Sequence, residues 1–191
     1  MSEIEKFPLL SGHISMDLVN TEIVRRGHRY NILENGDDLC DWLNCMTTIH
    51  PYIHRLWSKN CEIEELLERL LEIRQMLRET FESIADGHGI SNEFIDYLET
   101  NIKEAPFTFK LIQNKLVAIP QGNTINAIKS LIAYDALKLI GENKLKKVKK
   151  CLNPDCVLLF IDEGGRRKWC SMKICGNRQK VARYQKKSET E

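Results

Sequence analysis

The chain has 191 residues, enough for one domain or for a medium domain and a small one. Hydrophobic residues make up 42%, as in ordinary globular proteins, and no apolar run approaches the roughly 20 residues of a membrane span. The start, MSEIEKFPLL, lacks the basic and apolar pattern of a signal peptide. We therefore expect a cytoplasmic protein with no membrane partner.

The net charge of +1 hides an uneven distribution of charge along the chain. Residues 1–140 carry 14 Lys and Arg against 21 Asp and Glu, a net charge of −7. Residues 141–191 carry 14 against 6, a net charge of +8. A basic tail usually has an acidic partner, and nucleic acid is the commonest. The alternative is that the two halves attract each other, within one chain or between subunits.

The first predicted element is a helix over residues 13–26, indicated by its apolar periodicity. Three polar residues interrupt this apolar stretch: Asp17, Asn20 and Thr21. Buried polar groups need partners, and the backbone of the loop that follows would supply them. The pattern therefore favours side chains that hold the loop against the helix.

Apolar periodicity and capping residues predict most of the remaining body. The predicted elements are a helix after Gly36, capped by Asp37 or Asp38, to about His50; helices over residues 62–85, 91–103 and 124–140; and a hairpin of residues 107–112 and 115–119. The helix over residues 62–85 has a broad apolar face. Such a face suits either a homodimer interface or packing within one subunit.

The last quarter of the chain holds four of the seven cysteines as two pairs, Cys151/Cys156 and Cys170/Cys175. Each pair encloses four residues, and thirteen residues separate the pairs. Four thiolates on a short segment can close a tetrahedral shell around Zn²⁺. Disulfides are the alternative, but the cytosol keeps thiols reduced, and paired cysteines there favour a metal. The spacing predicts one structural zinc ion, with no open position for catalysis.

Between and after these pairs, the sequence predicts a hairpin and a basic helix. Val157 to Ile161 is the first strand, Arg166 to Trp169 is the returning strand, and the helix runs from Cys175 to about Lys187. The predicted fold class is thus mainly α with a small β-hairpin. A helical domain over residues 1–143 precedes a zinc-nucleated hairpin–helix finger over residues 144–191.

The motifs CLNPDC, LFID and WCSMKICGNRQK resemble the CGNR zinc finger, and MDLVNT at 16–21 is similar to the opening motif of the bacterial ABATE domain. The resemblance implies a bacterial, stress-induced transcription regulator whose finger binds DNA. It also implies that Asp17, Asn20 and Thr21 line a small-molecule pocket, and this interpretation stays open beside the structural one. In EGGRRKW this chain departs from the family, which more usually has a serine-containing turn there.

The terminal helix carries the residues predicted to contact duplex DNA. One stripe, at spacings of four and three, has Arg183 beside it and is backed by two basic residues of the hairpin: Lys173, Asn177, Lys180, Tyr184 and Lys187, with Arg166 and Arg167. Lys and Arg suit phosphates, and Asn and Arg can read base edges. We call the short loops enclosed by the two cysteine pairs the knuckles. Arg178 is expected to be structural, bonding the backbone carbonyls of the knuckles or pairing with Asp162.

Two functions remain open from the sequence. One is a DNA-binding regulator, and the other is a zinc-stabilised protein-interaction module whose basic finger docks on an acidic body or partner. The sequence has no nucleophile–base pair, phosphate loop or open metal site, so no enzymatic activity is expected.

Overall fold

The computed structural model describes residues 6–25, 27–50, 53, 56, 62–112 and 114–181. In chain order the elements are α1 (Ile14–Val19), β1 (Glu22–Arg25), β2 (His28–Asn31), α2 (Gly36–Ile49), α3 (Ile63–Ala85), α4 (Asn92–Glu104), β3 (Phe107–Ile112), β4 (Lys115–Pro120), α5 (Thr124–Gly141), a 3₁₀ turn (Leu145–Lys147), β5 (Val148–Lys150) and β6 (Leu159–Ile161). A terminal helix begins with a π-helical turn (Met172–Gly176) and continues as α-helix to residue 181, where the described part ends.

The architecture is mainly α with small antiparallel hairpins, as predicted. Side chains cap four of the helices at their N-termini: Asn35 caps α2, Ser91 caps α4, Asn123 caps α5 and Ser171 caps the terminal helix. The predicted cap of α2 was wrong by two or three residues, because Asn35 accepts from the Asp38 backbone while Asp38 accepts from the Asn35 backbone. None of the described helices is both long and apolar enough to cross a bilayer.

Helix α3 lies at the centre of the molecule and contacts α1, α2, α5 and β5. Its apolar face is fully buried at Leu66, Leu70, Ile73, Leu77 and Phe81. Since these contacts lie within one chain, the structure uses this face for intramolecular packing. The same core includes residues from beyond the predicted boundary at residue 143, namely Leu145, Val148 and Leu159.

The N-terminal helix is shorter than the sequence predicts. The predicted helix over residues 13–26 is wrong beyond Val19, because Glu22–Arg25 pairs antiparallel with His28–Asn31. The β-branched pair Ile23-Val24 suits a strand, and Gly27 turns the chain at φ +81. A residue distant in sequence stabilises the start of α1: Asp135 on α5 accepts from the backbone N–H of Ser15 at 3.0 Å and from its hydroxyl at 2.5 Å.

The hairpin of the finger also differs from the prediction. Strand β6 pairs with β5, which precedes the first cysteine, in the register Val148↔Ile161. The predicted returning strand, Arg166 to Trp169, is wrong. After the turn, where Gly165 has φ +70, the chain crosses to the first knuckle, and Leu152 N donates to Lys168 O at 3.0 Å. The segment from Arg166 to Trp169 therefore bonds to the loop of the first cysteine pair instead of extending the sheet.

Candidate metal centre and the surface around it

The four cysteines of the two pairs converge on one point. Cys151 directly follows β5, Cys156 closes the first loop, Cys170 precedes the terminal helix and Cys175 lies in its first turn. Their sulfur atoms all lie within 4.8 Å of one another, and all four are free thiols. The sulfurs of Cys156 and Cys170 are 3.9 Å apart. A tetrahedron with Zn–S bonds of about 2.3 Å places its sulfurs roughly 3.8 Å apart, so the cluster fits a metal ion of this kind.

Polar groups around the cluster point at the sulfurs. Asn153 Nδ2 donates to the sulfur of Cys175 at 3.3 Å, and the Cys170 backbone N–H donates to the sulfur of Cys151 at 3.4 Å. The side-chain oxygen of Asn153 accepts from Asp155 N at 3.2 Å, which is the turn that the Asn-Pro-Asp run indicates. Donors that bond to the sulfurs in this way stabilise thiolate charge and orient the cysteine side chains. The role of Asn153 beside Cys175 was not predicted.

Hydrogen bonds among the sulfurs shift the pKa values of three thiols. Those from Cys156 and Cys170 lower the pKa of Cys151 to about 2. The bond to Cys151 raises the pKa of Cys156 to about 12, and the pKa of Cys170 also lies above its ordinary range for the same reason. One thiolate is thus stabilised by protons on its neighbours. A metal cation supplies that stabilisation to all four thiolates, and it would displace these protons.

Arg167 is the structural arginine of the finger. Its guanidinium lies 4.5 Å from the centroid of the Phe160 ring, and it donates to the carbonyls of Ile161 and Cys170. The sequence had predicted that Arg178 bonds the knuckle carbonyls or pairs with Asp162. In the structure Arg167 bonds the Cys170 carbonyl, whereas Asp162 accepts from Lys149 Nζ at 2.7 Å and from the Arg167 backbone at 3.1 Å.

The described part of the predicted DNA stripe is exposed. Lys173, Asn177 and Lys180 all have exposed side chains, as does Arg166 of the hairpin segment. Arg183, Tyr184 and Lys187 lie outside the described residues. Thus the structure places part of the predicted stripe on the surface of the terminal helix.

The finger has more exposed cations than its own acids neutralise. Lys149 pairs with Asp162, and Lys150 pairs with Asp86 of the body at 2.6 Å. Within the described part of the finger, six other basic side chains are exposed and form neither an ion pair nor a side-chain hydrogen bond: Lys146, Lys147, Arg166, Lys168, Arg178 and Lys180. Attraction between the two halves therefore accounts for little of the basic charge.

The three polar residues of the N-terminal motif all have protein partners. Asp17 accepts from the backbone of Leu10, Ser11 and Gly12 at 3.0 to 3.2 Å, and burial raises the pKa of its carboxyl group. Thr21 Oγ1 donates to Leu18 O at 2.7 Å. These contacts favour the structural interpretation, although Asp17 holds the preceding segment instead of the following loop.

Asn20 and Arg78 connect the helical body to the finger. Asn20 Nδ2 donates to Leu159 O at 3.0 Å, and Asn20 Oδ1 accepts from Leu159 N at 3.0 Å, so its amide completes the free edge of β6. Arg78, which is 2% exposed, donates to the carbonyls of Val19 at 2.5 Å and Val157 at 3.1 Å. Its only sequence signal is an arginine among the otherwise apolar positions of the buried α3 face.

Arg78 is also neutralised by two carboxylates. Its Nε lies 2.5 Å from Glu22 Oε2, and its Nη1 lies 2.9 Å from Glu82 Oε1. A buried charge needs such partners. The guanidinium therefore ties together the end of α1, strand β1, helix α3 and the finger.

Comparison with known families finds two matches, which cover consecutive parts of the chain. Residues 12–142, more than half of the chain, match the model of the ABATE family, described as "Putative stress-induced transcription regulator". Residues 147–188 match the model of the CGNR zinc finger. The comparison with curated proteins found no match. The resemblance indicated by the sequence motifs is therefore confirmed.

Proposed function

The chain belongs to the ABATE family and carries a CGNR zinc finger, and from this premise we propose that it is a transcription regulator that binds duplex DNA through the finger. The proposal rests chiefly on one observation: the six exposed basic side chains without ion pairs or hydrogen bonds surround the four-cysteine cluster in sequence and flank its hairpin. Phosphate contacts need such cations on a rigid support. The role is regulatory, not catalytic.

We propose that the metal is zinc and that Cys151, Cys156, Cys170 and Cys175 hold it. Four thiolates within 4.8 Å of one another form the closed donor set of a structural zinc site. The bound ion supplies the cross-link that a module this small cannot obtain from its own core. Its apolar cluster consists only of three of the cysteines with Leu158 and Phe160, packed by a few half-buried side chains.

Elemental analysis tests the metal assignment. We expect one zinc per chain, and we expect Cys175→Ser to lose zinc and unfold the finger while the helical body persists. Ser171→Ala is the matched control, because its hydroxyl caps the terminal helix at Ile174 N and does not reach a sulfur. Zinc-free protein with a folded finger would overturn the assignment.

The terminal helix is the proposed recognition element. Asn177 and Lys180 are exposed there, in the first α-helical turn after Cys175. In this arrangement Lys180 contacts phosphate, whereas Asn177 can form two hydrogen bonds to an adenine edge. Because the metal closes the loop at Cys175, it determines the direction in which the helix points. Arg183, Tyr184 and Lys187, the other predicted contacts of this helix, lie outside the described residues.

Fluorescence anisotropy with a labelled random-sequence duplex tests DNA binding over a series of salt concentrations. Log affinity should fall with log salt by a slope of about −0.9 per neutralised phosphate, and Lys180→Ala should flatten that slope by about one unit. Lys103→Ala is the control, because Lys103 is exposed on α4 of the body. Zinc-loaded protein that binds no duplex at low salt would refute the proposal.

A second candidate is a protein-interaction module, and the contacts between finger and body favour it. Lys150 pairs with Asp86, and Val157 accepts from Arg78, so this finger already uses part of its surface on protein. An acidic protein partner would then occupy the remaining cations. Absence of DNA binding together with one bound zinc would select this candidate.

A further inference from the structure

A cleft of about 550 Å³ lies between the N-terminal segment, strand β1 and the finger. Its walls come from residues 6–10, from Ile23–Arg25 of β1 with Ile32, and from the finger on both sides of the four-cysteine cluster. Pockets for small ligands typically occupy about 300–1,000 Å³ and often lie where two parts of a chain meet. The cleft therefore has the size and position of a ligand site.

One wall of the cleft is apolar. Its apolar lining residues are Leu9, Ile23 and Ile32 from the body and Leu158 and Ile174 from the finger. Ile23 packs against both apolar clusters of the protein, so this wall is continuous from the body core to the finger core. An apolar wall open to water favours a ligand that carries apolar surface.

The lining of the cleft is also strongly basic. Lys6, Arg25, Lys173 and Arg178 line it, against a single acidic residue, Asp155. Lys6 is already paired with Asp38 and Asp41 of α2, at 2.8 and 2.6 Å.

Arg25 and Arg178 differ in their surroundings. The Arg25 guanidinium lies 4.6 Å from the centroid of the Tyr30 ring. Among the residues that the structure describes, the exposed Arg178 side chain has neither an ion pair nor a hydrogen bond. Arg178 is thus a cation beside an apolar wall, with its guanidinium donors available to an anion.

We propose that this cleft binds a small amphipathic anion, such as a medium-chain or aromatic carboxylate. The carboxylate pairs with Arg178, with Lys173 nearby, and the apolar body lies along Leu9, Ile23 and Ile32. This site is separate from Asp17, Asn20 and Thr21, which line no part of it. It is also independent of whether the finger binds DNA.

The position of the cleft couples such a ligand to the finger. Its walls come from both the body and the finger, so a bound molecule bridges the two. Cys156 and Cys175, two of the clustered thiols, also line the cleft. Lys173 belongs both to the cleft and to the proposed DNA surface, so a ligand anion would compete with phosphate for it; this one consequence rests on the proposed function.

Isothermal titration calorimetry of the full-length, metal-loaded protein with decanoate tests the site without DNA. We expect saturable binding of one decanoate per chain. Acetate, which lacks the apolar chain, and octyl glucoside, which lacks the charge, should bind at least ten-fold more weakly.

Arg178→Met should weaken decanoate binding about ten-fold or more, because it removes a charge-assisted contact. Lys180→Met is the matched control, since Lys180 is two positions along the same helix and does not line the cleft; its affinity should stay within two-fold. Val24 of β1 also lines the cleft, so Val24→Ser tests its apolar lining without touching the finger and should weaken binding several-fold. Far-UV and near-UV circular dichroism would verify that each variant is folded.

No saturable binding would overturn the inference. So would acetate or octyl glucoside binding as tightly as decanoate. Equal loss of affinity in Arg178→Met and Lys180→Met would also overturn it, because it would place the anion outside the cleft. DNA titrations of the same proteins are scored separately, so failure of the DNA proposal and failure of the ligand site give different results.

Discussion

Replacing Asn20 with alanine should loosen the finger from the body and destabilise the whole chain. The Asn20 amide makes two hydrogen bonds of 3.0 Å with the backbone N–H and carbonyl of Leu159. Asn20 is 0% exposed and Leu159 is 1% exposed, so water cannot replace the amide without a local opening. Both backbone groups of Leu159 would be left buried and without partners.

The expected loss follows from those two groups. Each buried donor or acceptor left without a partner costs about 1–3 kcal/mol, so Asn20→Ala should lower the free energy of unfolding by about 2–6 kcal/mol. That is a large fraction of the roughly 5–15 kcal/mol that stabilises an ordinary domain. Asn20→Asp should not restore stability, because its second oxygen would face the Leu159 carbonyl where Nδ2 now donates.

Urea denaturation followed by far-UV circular dichroism measures the change at constant zinc. Asn44→Ala is the matched control, because Asn44 is exposed on α2 and should change stability by less than about 0.5 kcal/mol. If Asn20→Ala also stays within about 0.5 kcal/mol of the wild type, the amide does not secure β6 and the reasoning fails. If Asn20→Asp restores stability, the contact to the Leu159 carbonyl is not important.

Three further outcomes are expected. Arg78→Met should destabilise the protein by about 3–5 kcal/mol in the same urea assay, because it removes the closest partner of the half-buried Glu22 charge and the donor to two backbone carbonyls. Arg69→Met, at an exposed pair with a neighbouring glutamate on α3, should cost less than about 1 kcal/mol. Equal losses in the two variants would contradict the argument. A chain ending at residue 143 should stay helical by circular dichroism but melt at a lower temperature, because the shared core loses its finger residues; a disordered truncation would show that the predicted division is wrong. Lys149 lowers the pKa of Asp162, so this pair stabilises the fold fully above the ordinary carboxyl pKa of about 4 and progressively less as the pH falls through the lowered value. The free energy of unfolding of Asp162→Asn, measured in urea from pH 6 to pH 3, should therefore fall less than that of the wild type. Parallel curves for the two proteins would show that the pair does not stabilise the fold.

Much of this protein follows from local sequence. The apolar repeats of α3 and α5 require a helix to bring their side chains to one face, and Ser91 and Asn123 cap their helices because the bonds they make span only three residues. The cysteine spacing predicts the cluster for a similar reason: two short loops closed by one metal need only a few residues each. The family motifs lie in these same local segments.

Other features depend on residues that are far apart in the sequence. The end of α1 at Val19 and the pairing of β5 with β6 were not predicted, because apolar side chains alone do not distinguish a short strand from a helix or choose its partner. Tertiary structure assigns the knuckle carbonyl to Arg167, although Arg178 stands in the family motif.

The junction between body and finger shows the physical reason most clearly. Asn20 and Leu159 are 139 positions apart, and Ser15 and Asp135 are 120 apart. A buried polar side chain must find a partner, but its own sequence neighbourhood does not say which one. The sequence therefore determined the helices, the four-cysteine cluster and the basic charge of the tail. Tertiary packing decided which polar groups bond to other groups of the protein and which, like Arg178 at the cleft, remain available to a ligand. Only the folded chain brings distant bonding partners within hydrogen-bond distance.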